Sequence, residues 1–360
     1  MPESHERVQS CHYRRTLGTR DRSLQQNSAE DHRQIFQMTF SSREKPMNTR
    51  FGPIRVIPGE GKSRFPHCTS LFIDDEVKVL IDPGAGSKTL TALKQESSLD
   101  LVINTHYHFD HITYNYLFDK ALIIINEKEA PCFRERKNLG ALLGMDEVYG
   151  TDWVDGWIAR IADPAVKQSP FSPQNRHEWW LSTSRVDGEY RWGDVMDFGK
   201  TRMELIGTPG HSKGFSCMNF PDSGVMYVAD MDLTAFGPWY AGSDGDIDLF
   251  ISSCEKIKAI DCEYFITGHE KGVLGREDFL AGLDRFIEII DQRDRKILSA
   301  LTRPLSLQEI VDQGLIYGRK YHVDAWIYMW EFLTIKKHIR RMIDRGQLND
   351  LGNNLVGAKG

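Results

Sequence analysis

Seven consecutive residues, Thr105-His106-Tyr107-His108-Phe109-Asp110-His111, follow directly on an apolar strand pattern at 101–103 and put four metal-ligating side chains into six positions. No other segment constrains the chain as strongly. Where a strand bends into a loop, alternate residues point the same way, so His106 and His108 can share one metal while Asp110 and His111 turn toward a second. The bland alternative is a polar surface loop with incidental histidines. It would also have to accommodate three more ligand-type residues, each at the end of an apolar strand: His211 in Thr208-Pro209-Gly210-His211-Ser212, Asp230 after 225–229, and His269 in Thr267-Gly268-His269-Glu270.

These positions match an H-x-H-x-D-H signature with three later ligands, and the stretch from about 51 to 275 resembles the metallo-β-lactamase superfamily. The resemblance implies an α/β fold, a four-layer αββα sandwich with two divalent metal ions at one edge. It implies His106, His108 and His211 on the first metal, Asp110, His111 and His269 on the second, and Asp230 bridging both. Aspartate at the bridging position, where the antibiotic-degrading branch has cysteine, favours the glyoxalase II, lactonase and phosphodiesterase side. Asp82, in Val79-Leu80-Ile81-Asp82-Pro83-Gly84, matches an acidic residue that steadies a metal-bound histidine from behind. An Asp before Pro-Gly is equally an ordinary turn former.

Zinc is the expected metal because the site is histidine-rich, with iron and manganese also compatible with nitrogen and carboxylate ligands. Metal coordination lowers the pKa of bound water to roughly 7, and two metals roughly 3.5 to 4 Å apart hold nucleophile and substrate oxygen together. Hydrolysis by a bridging hydroxide is the expected reaction, with Asp110 steering the nucleophile or relaying its proton.

Composition sets outer limits. Forty-five basic residues against 51 acidic ones give a net charge of −6, unfavourable for gripping a nucleic-acid backbone over the whole surface. Apolar runs such as 121–125 fall far short of the roughly 20 residues of a membrane-spanning helix, so no membrane partner is expected. Six cysteines without a C-x-x-C pair read as reduced thiols, and no secretory signal is visible, so the cytoplasm is the expected location.

Residues 1–47 are polar and poor in large apolar side chains and are expected as a disordered tail, with Met38 or Met47 as alternative starts of translation. Strand patterns follow at 54–57, 69–73, 77–81, 101–103, 122–125, 203–206, 215–220, 225–229 and 264–267. Apolar residues from Ile247 to Ile257 recur at helical spacing, with Asp246 or Asp248 as N-cap. The expected organisation is a catalytic domain over 48–283, a small helical, winged-helix-like module over 284–350, and a flexible tail over 351–360. Two near-motifs are set aside. Gly84 to Thr89 lacks the spacing of a phosphate loop, and the run from Asp244 to Glu255 has Leu249 where a calcium loop needs glycine.

Substrate choice is less legible. A stretch from about 131 to 198 reads as an irregular insert whose Trp153, Trp157, Trp179, Trp180 and Trp192 either line an apolar acyl pocket or cover the core. Tyr240, in Phe236-Gly237-Pro238-Trp239-Tyr240, is the candidate catalytic residue outside the metal set, its phenol placed to donate to a developing oxyanion.

Near the C-terminus, Ser306-Leu307-Gln308-Glu309 reads as a capping box, and a long helix follows from about 321 to 345. This order resembles the winged-helix appendage of the β-lactamase-like protein 2 group. The basic run Lys336, Lys337, Arg340, Arg341 and Arg345 is either a contact for RNA phosphates or a solvated face or subunit contact, the last compatible with a homodimer. The leading function is hydrolysis of a small acyl compound, a thioester or lactone. The alternatives are an endoribonuclease and a mononuclear iron oxidoreductase of the persulfide dioxygenase kind, the latter disfavoured by His111 and His269.

Overall fold

Alternating side-chain direction along short apolar strands decides the layers. The computed structural model describes residues 49–134, 136–160, 185–322 and 324–358; the expected disordered tail, Trp179 and Trp180 lie outside them. A seven-stranded sheet runs in sequence order through β1 (Arg50–Phe51), β2 (Ile54–Ile57), β3 (Ser70–Ile73), β4 (Val79–Ile81), β5 (Leu101–Asn104), β6 (Leu122–Asn126) and β7 (Gly188–Tyr190). Its pairs are antiparallel up to β4 and parallel from β4 to β7. Leu71, Ile73, Val79, Ile81, Leu101 and Ile103 join the main core. The alternate residues Phe72, Leu80, Val102 and Ile123 pack with Leu90 and Leu93 of helix α1 (Ser87–Glu96). One helical turn, α2 (Phe109–Ile112), follows β5.

The second sheet consists of β8 (Val195–Asp197), β9 (Arg202–Gly207), β10 (Ser216–Phe220), β11 (Val225–Ala229), β12 (Tyr264–Thr267) and β13 (Val273–Gly275). Its strands lie in the order β13-β12-β11-β10-β9-β8. Only β11 and β12 pair in parallel. Every residue of β10 and β11 is buried, as strands covered on both faces require. Helix α3 (Ile247–Lys258) contributes Phe250, Cys254 and Ile257 to this core, and α4 (Arg276–Ala300) contributes Phe279, Leu283, Phe286 and Ile290. Asp246 caps α3, its carboxylate accepting from Leu249 N at 2.8 Å. The result is the expected mixed α/β sandwich.

Three boundaries differ from the sequence reading. The expected insert is helical over Arg136–Leu143, Met145–Tyr149 and Thr151–Arg160, and its last part supplies β7 and β8 to the two sheets. Those strands are too short to announce themselves by periodicity. Secondly, the division at 283/284 falls inside α4, which is 25 residues long and uninterrupted. Thirdly, part of the expected flexible tail is ordered. After α5 (Leu307–Val311) and α6 (Ala325–Asp344), residues Leu348–Asp350 (β15) and Leu355–Ala358 (β16) form a hairpin, with β16 also pairing with β14 (Leu305–Ser306). Asn353 and Asn354, both at positive φ, make the hairpin turn. Helix, strand, helix, helix and hairpin in that order give a winged-helix arrangement. Its core is built from Ile297, Leu305, Ile310, Ile335, Met342 and Val356.

Trp157 is buried against Trp326 of α6, ring centroids 6.1 Å apart, in a cluster that includes Tyr107, Phe109, Val154, Met329 and Leu333. Trp192 instead donates Nε1–H to Ser216 Oγ at 3.0 Å. These tryptophans are packing residues. Among the described residues, no helix is long and apolar enough to cross a membrane.

Candidate metal centre

The parallel strands deliver their C-terminal ends to one edge, and the chain turns sharply there. Asp82, immediately after β4, has φ 49°, and Ala229, at the end of β11, has φ 42°, a region L-residues enter at a cost that functional sites commonly bear. A register irregularity between Tyr227 and Ala229 accompanies the second turn and re-aims the next residue, Asp230. Gly84 is required by contact: a Cβ there would collide with the Asp110 carbonyl oxygen.

The structure brings all seven sequence-predicted ligands together in two groups. His106, His108, His211 and Asp230 form one; Asp110, His111 and His269 form the other; within each group the ligand atoms lie within 4.8 Å of one another. His211 Nε2 is 3.2 Å from His106 Nε2, 2.8 Å from His108 Nδ1 and 3.1 Å from Asp230 Oδ2. In the second group, His269 Nε2 is 3.1 Å from Asp110 Oδ2, and the other Asp230 oxygen, Oδ1, is 2.8 Å from His111 Nε2 and 3.6 Å from His269 Nε2. Donors bound tetrahedrally to zinc at about 2.0–2.1 Å would stand about 3.3 Å apart, and these separations scatter around that value. Asp230 offers one oxygen to each group.

The hydrogen bonds behind the rings fix what each ring presents. Thr105 Oγ1 donates to Asp82 Oδ2 at 2.7 Å and so accepts from His106 Nδ1 at 2.9 Å. His111 Nδ1 donates to Asp82 Oδ2 at 2.8 Å, His211 Nδ1 to the Trp239 carbonyl at 2.8 Å, and His269 Nδ1 to the Ser63 carbonyl at 2.9 Å. In the neutral rings, four Nε2 lone pairs therefore face inward. His111 Nε2 and Asp230 Oδ1 are buried without a hydrogen bond. Lone pairs converging in this way repel unless cations lie between them, so the donor set fits divalent metals.

Electrostatics divide the ligands. Burial, reinforced by neighbouring histidines, holds His106 and His108 well below the usual imidazole range and hence neutral, the form a metal ligand needs. Burial opposes protonation of His111 and His269 too, but Cys68, Asp230, Asp82 and Asp110 at His111, and Asp230 and Asp110 at His269, outweigh it and carry both upward; beside these carboxylates the two rings favour the proton that a bound metal ion would displace. Burial would raise Asp230, yet His111, His211 and His269 hold it well below the carboxylate range.

Asp82 stands behind the site as a support. It is fully buried and accepts from Thr105 N, Thr105 Oγ1, His111 Nδ1 and Tyr227 OH at 2.8, 2.7, 2.8 and 3.2 Å. Tyr240 is not where the sequence reading put it. Its hydroxyl lies between Arg293 and His338, 2.8 Å from the first and 2.9 Å from Nε2 of the second, and is committed to the C-terminal helices. The neighbouring Trp239 faces the ligands instead, its ring 4.8 Å from that of His108 and 5.4 Å from that of His211. Sequence reasoning missed Glu129 altogether. Buried after β6, it accepts from Tyr107 N at 3.1 Å with one oxygen, and from Ser212 Oγ at 2.7 Å and Gly214 N with the other. Glu129 thus ties the first ligand loop to the loop of His211. Its isolation in a polar stretch gave no signal.

This fold and this ligand arrangement are those that the resemblance to the metallo-β-lactamase superfamily implied. The family model of that description matches residues 64–142, the stretch that carries His106, His108, Asp110 and His111. The chain is similar to the acyl-coenzyme A thioesterase MBLAC2 of Homo sapiens, at 26% identity, and to that of Bos taurus, at 24%; each match spans 216 residues, 54% of this chain and 69% of the relative. A metallo-beta-lactamase family protein from Thermus thermophilus has a TM-score of 0.61 at 15% identity, over 86% of this chain and 99% of that one. A beta-lactamase domain protein from Burkholderia ambifaria gives 0.59 at 16%, over 87% and 95%. At such identities the two structures share the fold.

Proposed function

We propose that this protein is a metal-dependent hydrolase of small acyl compounds, with acyl thioesters as the first substrate class and lactones as the second. The observation that carries the reading is the pair of ligand groups joined by the two oxygens of Asp230. His106, His108 and His211 would hold one divalent ion, Asp110, His111 and His269 the other, with Asp230 between them and zinc the first candidate. Such ions supply a water ionised near neutral pH and a Lewis acid for the substrate carbonyl. The chain's own residues do the rest. Asp110, 3.1 Å from His269 Nε2, is placed to accept a proton at the same edge, and half-buried Trp239 walls the first ligand group against water. The thioester preference is supported by the similarity to a protein named as an acyl-coenzyme A thioesterase.

The basic run along α6 and at its C-terminal cap, Arg345, is engaged in ion pairs and hydrogen bonds within the chain, which supports packing over RNA contact. Lys336 pairs with Glu147, Arg340 with Asp344, Arg341 with Asp248 and Asp294, and Arg345 with Asp248, while Lys337 donates to the Ser243 and Gly245 carbonyls. A cytoplasmic location agrees with five buried, unpaired cysteines among the described residues. The test is turnover of metal-reconstituted protein on acyl thioesters, lactones and short RNA beside His108→Ala. Thioester hydrolysis lost in the variant is expected; undiminished turnover in His108→Ala, or cleavage of RNA alone, overturns the reading.

A further inference from the structure

We propose that Arg293 is a positioning residue for the metal centre, acting on His211 through the loop 236–240. The inference rests on reading His211 as a metal ligand. Arg293 lies on α4 and is 4% exposed. Burying a guanidinium is costly unless its donors are satisfied, and among the described residues no carboxylate pairs with it. Its hydrogen bonds go instead to one loop: Nη1 donates to the Pro238 carbonyl at 2.6 Å and to Tyr240 OH at 2.8 Å, and Nη2 donates to the Phe236 carbonyl at 2.8 Å. The guanidinium also lies 4.8 Å from the Phe236 ring centroid and 5.4 Å from that of Tyr240.

Trp239 is the residue between these anchors. Its carbonyl accepts the Nδ1–H of His211 at 2.8 Å, the bond that points the other ring nitrogen at His106 and His108. A carbonyl that orients a ligating imidazole tunes the ligand, and here α4 holds that carbonyl in place. Tyr240 completes the clamp: its hydroxyl also meets His338 Nε2, whose ring bonds through Nδ1 to Asp294 at 2.5 Å. The other ligand group is steadied elsewhere, His111 by Asp82 and His269 by the Ser63 and His67 carbonyls. Loss of Arg293 should therefore act on one group and spare the other, an asymmetry that a general loss of packing would not produce.

The test is zinc titration of the metal-free chain against a chromophoric chelator, comparing wild type with Arg293→Met, Arg293→Lys, Tyr240→Phe and Asp82→Asn. Arg293→Met is expected to weaken one site about 10- to 100-fold and leave the other within about twofold. Arg293→Lys, which keeps the charge but loses the fork, should fall between. Asp82→Asn should weaken the opposite site, so that combining it with Arg293→Met weakens both additively. Should Arg293→Met not fold, Tyr240→Phe keeps the test, with a smaller effect on the same site. A wild type with two ions whose affinities Arg293→Lys and Tyr240→Phe leave unchanged, or lower equally, overturns this inference alone. A wild type that takes up no zinc overturns the ligand assignment and the inference with it.

Discussion

Replacing Asp82 by asparagine is expected to invert the tautomer of His111 without emptying the space behind it. Oδ1 of Asp82 accepts from the backbone N–H of Thr105 at 2.8 Å. That donor cannot rotate, so the amide oxygen of the introduced asparagine must take the place of Oδ1 and the NH₂ must fall where Oδ2 was. Oδ2 is the atom that accepts from His111 Nδ1 at 2.8 Å, Thr105 Oγ1 at 2.7 Å and Tyr227 OH at 3.2 Å. Tyr227 OH already donates to the Thr69 carbonyl at 2.7 Å and can accept, and Thr105 Oγ1 can take the NH₂ on its second lone pair while keeping the bond from His106 Nδ1; the imidazole can accept only by moving its proton to Nε2. There it points at Asp230 Oδ1, 2.8 Å away, and occupies the lone pair meant for a metal. Outer hydrogen-bond partners of ligating histidines are worth about 10- to 100-fold in metal affinity, or about 1.4–2.7 kcal/mol. Isothermal titration of zinc into the metal-free variant should show one site weakened by that amount, with a melting temperature near that of wild type. Two sites of unchanged affinity would refute the tautomer argument.

Three further outcomes follow from the same geometry. Glu129→Gln must set its NH₂ against the backbone N–H of either Tyr107 or Gly214; an unmade buried hydrogen bond costs about 1–3 kcal/mol, readable as a lower urea midpoint. His338, whose pKa burial depresses against the pull of Asp294, is neutral in the folded chain, so its contribution is present above the unfolded value of about 6.5 and lost as pH falls below it, by up to about 1.4 kcal/mol per unit. Comparing urea midpoints with His338→Gln above and below that pH should show the variant flatter. Chelation should lower the melting temperature of wild type, since an ion at about a hundred times its Kd contributes about 2.7 kcal/mol; His108→Ala should respond far less.

That the seven candidate ligands come together was legible because each follows an apolar strand, and strand ends converge wherever strands of one sheet run parallel. His106 and His108 needed only local alternation. Which of Trp239 and Tyr240 faces the centre was not legible, because that choice is made by Arg293, 53 residues further on from Tyr240. Glu129 was hidden for a similar reason, its partners Ser212 and Gly214 lying more than eighty residues away. The helical insert was missed because its apolar residues face α6 rather than a nearby strand, and β16 because a strand of four residues is specified by its partners more than by its own sequence. Asp82 was read as evenly a turn residue and a support; its positive φ and its four donors make it both.

The two ligand groups also span the sandwich. His106, His108, Asp110 and His111 leave the first sheet, whereas His211, Asp230 and His269 leave the second. Bound ions would therefore act as a caliper across the main core, set by residues such as Ile103, Met218 and Tyr227 that fill the space between the sheets. Close-packed interiors transmit small changes in volume, so a core substitution that shifts one sheet by a few tenths of an ångström would register first as altered metal affinity, before any change in overall stability.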